Sequence, residues 1–116
     1  YIKEYNKILE KASSLHDKNE ELLLFVYPDR KISYTSELSN ELLYRFPDKV
    51  IIVGREKGDE IKISFRSAKY NILEKVLEAS KNLNGRFGGH EHACGGSIKS
   101  RDFDNFIKNI KSNLKQ

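Results

Sequence analysis

Apolar residues recur three and four positions apart in four stretches of the chain, and each stretch is predicted to form a helix. The first covers about residues 1–17. The second begins at the candidate N-cap hydroxyls of Thr35 and Ser36 and ends before Pro47. The third precedes a glycine-rich segment, and the fourth is capped by Ser100. The residues predicted to face the core on these helices are Ile2, Tyr5, Ile8, Leu9, Ala12, Leu15, Leu38, Leu42, Leu43, Phe46, Ile72, Leu73, Val76, Leu77, Leu83, Phe103, Phe106, Ile107, Ile110 and Leu114.

Other apolar residues are contiguous or alternate with polar ones, which predicts strands. Residues 21–27 and 50–53 are almost uninterrupted apolar runs, as in strands that are covered on both faces. Residues 61–66 alternate instead, with apolar side chains on one face and polar ones, including Ser64 and Arg66, on the other. This third strand is therefore expected to have one apolar face and one polar face.

Turns and short extended pieces connect these elements. The turns are expected at 28–30 and around Gly58, and the extended pieces at 31–34 and 97–98. Helices and strands are interspersed along the chain. This order predicts a single α/β domain over residues 1–116, in which a mostly buried mixed β-sheet is flanked by helices on both faces.

Composition changes this picture little. The apolar share of 38% and the charged share of 33% fit a folded body with a strongly solvated surface. The net charge of +4 is too mild to indicate a nucleic-acid partner by itself. The single cysteine, Cys94, excludes an internal disulfide and fits a reducing compartment. There is no bilayer-length apolar stretch and no signal-peptide pattern, so we expect a cytoplasmic protein that makes no membrane contact. The chain has no methionine, so we expect a processed protein or a fragment.

The most informative segment is the glycine- and histidine-rich run over residues 85–97. Its glycines let a ligand approach the main chain closely, and successive N–H groups in such a loop form an anion-binding nest. His90 adds an imidazole hydrogen-bond donor. The segment matches neither the P-loop nor the dinucleotide-binding pattern. Phosphate or a nucleotide is the expected ligand.

Three alternatives to phosphate binding stay open for this segment. The first is a purely structural turn in which His90 is hydrogen-bonded internally. The second is zinc binding by His90, His92 and Cys94, which lacks an evident fourth ligand because the remaining histidine, His16, lies on the first predicted helix. The third is a nucleophilic Cys94, which is disfavoured because a thiol between two small residues is typically a packed residue.

The sequence Gly-Gly-His-Glu-His-Ala-Cys-Gly at 88–95 resembles the G-G-H-x-x-A-x-G motif of the DHH-associated domain. That domain is the C-terminal module of RecJ-type exonucleases and related oligonucleotide phosphodiesterases. Upstream, Ile-Ser-Phe-Arg-Ser at 63–67 resembles the S-x-R-S strand that precedes the motif in this family. The similarity covers roughly residues 21–114. Two departures are Phe87, where many relatives have a third glycine, and Cys94, where they have alanine.

The resemblance implies a substrate-binding module whose catalysis is carried out by an N-terminal DHH domain. In this family the DHH domain binds two Mn²⁺ or Mg²⁺ ions that activate water for attack on a phosphodiester. No Asp-His-His triplet occurs in this chain, so we expect no catalytic residue and no bound metal in it. Residues 1–20 are expected to form a helix that can pack on the missing region, and residues 21–116 to form the DHH-associated domain.

The resemblance also assigns binding roles. Arg66 is expected to clamp a phosphate with its forked donors, and a salt bridge to a helix carboxylate is the structural alternative. The remaining candidates for phosphate or sugar contact are Gly88, Gly89, His90 and Gly95, followed by Ser64, Ser67 and His92.

The leading functional hypothesis is binding of single-stranded nucleic acid or a short oligonucleotide for a RecJ-like, metal-dependent exonuclease or phosphodiesterase. One alternative is a module of a phosphatase that acts on small nucleotides or cyclic dinucleotides. Another is a non-catalytic interaction domain, such as those attached to alanyl-tRNA synthetase or those serving replication and repair assemblies. The lysines of the last helix, Lys108 and Lys111 among them, are predicted to be a solvated face, because Asp102 and Asp104 interrupt the basic patch.

Overall fold

The structure, a computed structural model, describes residues 2–28 and 33–115. Within these ranges the helices are α1 (Ile2–Ser13), α2 (Thr35–Arg45), α3 (Ile72–Ala79) and α4 (Phe103–Leu114). The strands are β1 (Leu22–Tyr27), β2 (Val50–Lys57), β3 (Glu60–Arg66), β4 (Gly85–His90) and β5 (Ala93–Lys99), and a short 3-10 turn at Ser100–Asp102 leads into α4. The predicted α/β class is confirmed. None of the helices in the described ranges has the length and apolar character needed to cross a membrane.

The strands form a five-stranded mixed sheet in the order β1-β2-β3-β5-β4. β1 and β2 are parallel and are connected through α2, whereas the other neighbouring pairs are antiparallel. The two apolar runs of the sequence lie side by side in β1 and β2, with Leu23 opposite Ile51 and Phe25 opposite Val53. Continuous apolar character is explained by this position, because both faces of the paired strands carry a core.

Two separate cores lie on the two faces of the sheet, because alternate side chains of a strand point to opposite faces. In the first core α1 and α2 pack on β1 and β2, and its buried residues are Ile8, Leu9, Ala12, Leu23, Phe25, Tyr27, Tyr34, Leu38, Leu42, Ile51 and Val53. In the second core α3 and α4 pack on the opposite face, and its buried residues are Val50, Ile52, Ile61, Ile63, Phe65, Ile72, Val76, Ala79, Cys94, Ile98, Phe106, Ile107, Ile110 and Leu114. The predicted arrangement of helices on both faces is confirmed.

The face that carries the first core continues beyond α1 and α2 onto β3, β5 and β4. There the side chains are half-buried or exposed, because the strands that contribute buried side chains to the first core are β1 and β2. We call this surface the open shelf; it consists of Lys62, Ser64, Arg66, Arg86, Gly88, His90, Ala93, Gly95 and Ser97. The helix α2 borders the shelf along β3.

The glycine-rich run over 85–96, predicted as a loop, is instead a β-hairpin. β4 and β5 pair from Gly85, opposite Ile98, to His90, opposite Ala93. The loop prediction is wrong because glycine usually marks loops, whereas here it lets strands approach more closely than side chains would permit. A Cβ at Gly96, for example, would lie 1.9 Å from the carbonyl oxygen of Arg86 on the neighbouring strand.

The helix starts differ from the predicted capping. Tyr34 is the N-cap of α2 and makes no side-chain cap, so capping by Thr35 and Ser36 is wrong. The Ser36 hydroxyl accepts a hydrogen bond from Arg66 of β3 instead. Ser100 begins the 3-10 turn and does not cap α4. Ser36 takes part in a tertiary contact and Ser100 in an irregular turn, and neither arrangement can be predicted from the local sequence.

Some apolar residues that were predicted to face the core are exposed: Ile2 by 70%, Leu15 by 51% and Leu77 by 45%. Leu15 lies beyond the end of α1, and Leu83 lies beyond the end of α3, although Leu83 still packs against the second core. Periodicity alone extends these helices too far, because it does not show where the backbone leaves the helix.

The predicted connections have mixed outcomes. The hairpin around Gly58 joins β2 to β3, and residues 97–98 belong to β5. The turn predicted at 28–30 and the extended piece predicted at 31–34 fall largely on residues 29–32, which lie outside the described residues.

Candidate functional site

The middle of the open shelf is a row of small residues. Ser64 of β3, Gly95 of β5 and Gly88 of β4 are direct partners in the sheet register. A Cβ on Gly88 would meet nothing within 4 Å, whereas one on Gly95 would lie 2.8 Å from the carbonyl oxygen of Ile63. Strand packing therefore requires Gly95 but not Gly88. The main chain at Gly88 is open to an approaching ligand.

Arg66 borders this row at the end of β3, where α2 holds its guanidinium. Nε donates a hydrogen bond to Oδ1 of Asn40 at 2.7 Å, and Nη2 donates to Oγ of Ser36 at 3.2 Å. Nη1 donates to the carbonyl oxygen of Phe65 at 2.8 Å. Burial lowers the pKa of Arg66 from its ordinary value, but a guanidinium remains protonated at neutral pH. The result is a cation with a defined orientation.

The helix groups that hold Arg66 are neutral, not the carboxylate that the structural alternative requires. In the part of the chain that the structure describes, Arg66 forms no ion pair, so its positive charge is not compensated by the domain. Sequence reasoning did not find Ser36 and Asn40 as functional residues. The only feature of the sequence that relates Ser36 to Asn40 is their separation by four residues, which places both side chains on one side of α2.

His90 lies on the same side of the small row as Arg66, two strands away on β4. Arg66, Ala93 and His90 are aligned across β3, β5 and β4, and two strand spacings, about 10 Å, separate the outer two backbones. His90 is exposed, and among the described residues its ring has no hydrogen-bond partner. Both side chains therefore belong to one row of the shelf, and the small row with Gly88 lies next to it.

Three further candidates lie beside the shelf. Gly89 is paired with Cys94, in the register that faces the second core, and its φ of +135° suits glycine. The Ser67 main-chain N–H donates to the carbonyl oxygen of His92 at 3.1 Å, and Nδ1 of His92 lies 2.8 Å from the carbonyl oxygen of Ser67. These contacts fasten the β4–β5 turn to the end of β3. They position Arg66 relative to the hairpin.

The side chains proposed as zinc ligands do not converge. His90 faces the open shelf, Cys94 is buried in the second core, and His92 bonds to Ser67 at the turn. Residues 2–28 and 33–115 contain no cluster of three or more His, Cys, Asp or Glu side chains that could hold a metal ion. The three residues are spaced two apart in sequence, which suggested zinc. However, His90 and Cys94 lie in different strands and His92 lies at the turn between them, so their side chains point in different directions.

Cys94 is expected to be chemically inert in the native chain. Its side chain is buried, and burial raises its thiol pKa to about 11. Because the thiolate is the reactive form, iodoacetamide at pH 8 should label the native chain about 100-fold more slowly than the denatured chain. Mass spectrometry over a time course measures both rates. Equal rates would contradict the buried position of Cys94.

A mixed sheet with helices on both faces, carrying a glycine hairpin and a fixed arginine on one open surface, defines an α/β domain with a candidate binding site. The chain belongs to the DHHA1 domain family: the model of this domain matches residues 23–116. The predicted resemblance to the DHH-associated domain is thereby confirmed. No curated protein matches the chain.

Solved structures share the fold. The C-Ala domain of alanyl-tRNA synthetase from Aquifex aeolicus is 25% identical, with a TM-score of 0.66. RecJ from Thermus thermophilus in complex with Mg²⁺ is 17% identical, with a TM-score of 0.74. A pGpG-specific phosphodiesterase from Vibrio cholerae is 17% identical, with a TM-score of 0.66.

The matched lengths differ among these structures. The similarity covers 80% of this chain and 91% of the C-Ala domain. It covers 93% of this chain but 17% of RecJ, and 99% of this chain but 40% of the phosphodiesterase. The chain therefore corresponds to one part of the two larger proteins.

Proposed function

We propose that this chain binds single-stranded nucleic acid or a short oligonucleotide for a RecJ-like, metal-dependent exonuclease or phosphodiesterase. In this proposal the open shelf holds a phosphate of the ligand between Arg66 and His90, next to the row that contains Gly88. One observation carries the proposal: α2 fixes the uncompensated guanidinium of Arg66 on the same shelf as Gly88, a glycine that no packing contact requires.

Phosphate is the ligand chemistry that these groups favour. The N–H groups of Arg66 that bind Asn40, Ser36, Phe65 and Cys94 orient the guanidinium, and the remaining N–H group on Nη2 can bind a phosphate oxygen. A hydrogen bond between charged groups is about twice as strong as one between neutral groups. Gly88 lets the anion approach the strand, and His90 supplies a further donor.

Catalysis is assigned in this proposal to a DHH domain that precedes the module in the parent protein. That domain would carry the Mn²⁺ or Mg²⁺ ions that activate water, and this domain binds no metal of its own. The role of the present residues is to hold and orient the phosphodiester. We place the protein in the cytoplasm, where replication or repair proteins are further candidate partners.

A backbone-amide NMR titration with a 5′-phosphorylated thymidine pentanucleotide tests the proposal. Saturable shifts are expected at Ser64, Arg66, Gly88, His90 and Gly95, because these residues belong to the small row and to the neighbouring row of Arg66 and His90. Shifts confined to the lysines of α4 would instead make the glycine hairpin a structural element only.

A Gly88→Val variant is the matched probe of the shelf. Valine suits a strand, and nothing lies within 4 Å of a Cβ at this position, so we expect an unchanged fold and a similar melting temperature. The side chain would project into the space beside the phosphate, where the ligand continues along the shelf, and weaken pentanucleotide binding by about tenfold or more. Unchanged affinity in a folded Gly88→Val variant would contradict the proposed binding surface.

A small-nucleotide ligand is the second candidate, because the similarity to the pGpG-specific phosphodiesterase covers 99% of this chain. The same titration with pGpG distinguishes the two. Stronger binding of pGpG than of the pentanucleotide would favour a nucleotide phosphodiesterase. If no nucleotide shifts the shelf amides, an interaction module becomes the better explanation.

A further inference from the structure

The open shelf continues past Gly88 towards the beginning of β4. There Lys62, Ser97 and Arg86 form a further row across β3, β5 and β4. A cavity of about 330 Å³ adjoins this row and is lined by Glu60, Leu83, Asn84, Arg86, Ser97 and Lys99, together with the main chain between them. Its volume lies at the lower end of the range of small-ligand pockets.

Arg86 differs from the other cations at this end of the shelf. The ammonium of Lys62 lies 3.5 Å from the carboxylate of Glu60, and that of Lys99 lies 2.9 Å from Asp59 and 3.7 Å from Glu60. Arg86 is exposed, and within the described ranges its side chain has neither an ion pair nor a hydrogen bond. The positive charge of Arg86 is therefore available to a ligand, whereas those of the two lysines are largely compensated.

Arg86 lies some way along the strands from the phosphate position proposed at Arg66. The row of Arg66 and His90 and the row of Arg86 are four residues apart on each strand, which corresponds to about 14 Å. The small row of Ser64 and Gly88 lies between them and presents no large side chain. A ligand can therefore extend along the shelf from one cation to the other.

From this geometry we infer that Arg86 forms a second phosphate subsite, which binds a later phosphate of the same oligonucleotide. The inference rests on the proposed function, since it needs a first phosphate at Arg66. A mononucleotide has no second phosphate to reach Arg86. In a 5′-phosphorylated dinucleotide the second phosphate is too close to the first, because a single sugar separates them. The substrate class that uses both subsites is a linear oligonucleotide of three or more nucleotides, with one nucleoside placed at the cavity beside Asn84 and Ser97.

A length series measures the second subsite. Affinities for 5′-phosphorylated thymidine mono-, di-, tri- and pentanucleotides are determined by NMR titration for the wild-type chain, for Arg86→Gln and for Lys108→Gln. Lys108 is an exposed cation of α4, on the opposite face of the sheet, and its replacement removes the same charge. Arg86→Lys serves as the rescue variant, because it retains the charge.

The expected result is a length-dependent loss. Arg86→Gln should weaken binding of the tri- and pentanucleotides by about fivefold to tenfold and should reduce the salt dependence of pentanucleotide binding by about one counterion. Binding of the mononucleotide should not change, Lys108→Gln should match the wild type, and Arg86→Lys should recover most of the affinity.

Several outcomes would overturn the inference. An equal effect of Arg86→Gln on all lengths, no effect on any length, or an equal loss in Lys108→Gln would each show that Arg86 does not form a separate subsite. In those cases mononucleotide shifts at Gly88 and His90 would still support the proposed function. Absence of these shifts for every ligand would instead remove the proposed function itself.

Discussion

Replacing Phe106 by alanine is expected to lower the free energy of unfolding by about 3–5 kcal/mol. Phe106 of α4 is fully buried, its ring stacks on Phe87 of β4 at a centroid distance of 5.0 Å, and it meets Phe65 of β3 edge-on at 6.0 Å. The substitution therefore removes both apolar burial and two aromatic contacts. Urea unfolding followed by circular dichroism measures the change.

The matched control is Tyr44→Ala, because Tyr44 lies on a helix but is 83% exposed. Its free energy of unfolding should change by no more than about 0.5 kcal/mol. The three-ring contact also anchors β4, so the amides of the hairpin should lose hydrogen-exchange protection in Phe106→Ala more than those of β1. A loss below about 1 kcal/mol would contradict the packing of α4 against the hairpin.

Replacing Arg66 by alanine is expected to weaken binding of the phosphorylated pentanucleotide by roughly 10- to 150-fold, since hydrogen bonds to charged groups contribute about 1.5–3 kcal/mol. The variant should fold, because Asn40 and Ser36 are exposed and can bond to water when the guanidinium is removed. Affinity is measured by NMR titration or calorimetry at a stated salt concentration. Asn40→Ala, which leaves the charge but frees its orientation, should cause a smaller loss.

Arg45→Ala is the control for a general loss of positive charge. Arg45 also lies on α2, but it pairs with Glu41 at 3.2 Å and faces α1, away from the shelf. Its replacement should leave pentanucleotide affinity within about twofold, because surface ion pairs of this kind contribute little. If Arg45→Ala weakens binding as much as Arg66→Ala, the effect would be general electrostatics and not a contact at the shelf.

Arg66 shows how far local pattern could predict the candidate site. Alternation in β3 placed Arg66 and Ser64 on a polar face, and the structure places both on the open shelf. Alternation was sufficient because it depends on neighbouring residues in one strand. It could not show that α2 supplies Asn40 and Ser36 to hold the guanidinium, since these residues are 26 and 30 positions away.

The glycine hairpin shows where prediction from sequence failed. Composition indicated a loop at 85–96, and the alternation of His90, His92 and Cys94 left zinc open. In the structure the pairing of β4 with β5 sends His90 to the shelf and Cys94 to the second core. Only strand pairing decides between a loop and a hairpin of this composition, because glycine is compatible with both.

By itself, the sequence determined the α/β class, the helical and strand stretches that supply both cores, and the family motif. These properties depend on residues that are close along the chain, where periodicity and spacing carry the information. The tertiary structure alone decided the alignment of Ser64, Gly95 and Gly88, the hold of α2 on Arg66, and the position of Arg86 at the far end of the shelf. These features depend on register and packing between segments that are distant in sequence, which local pattern does not specify.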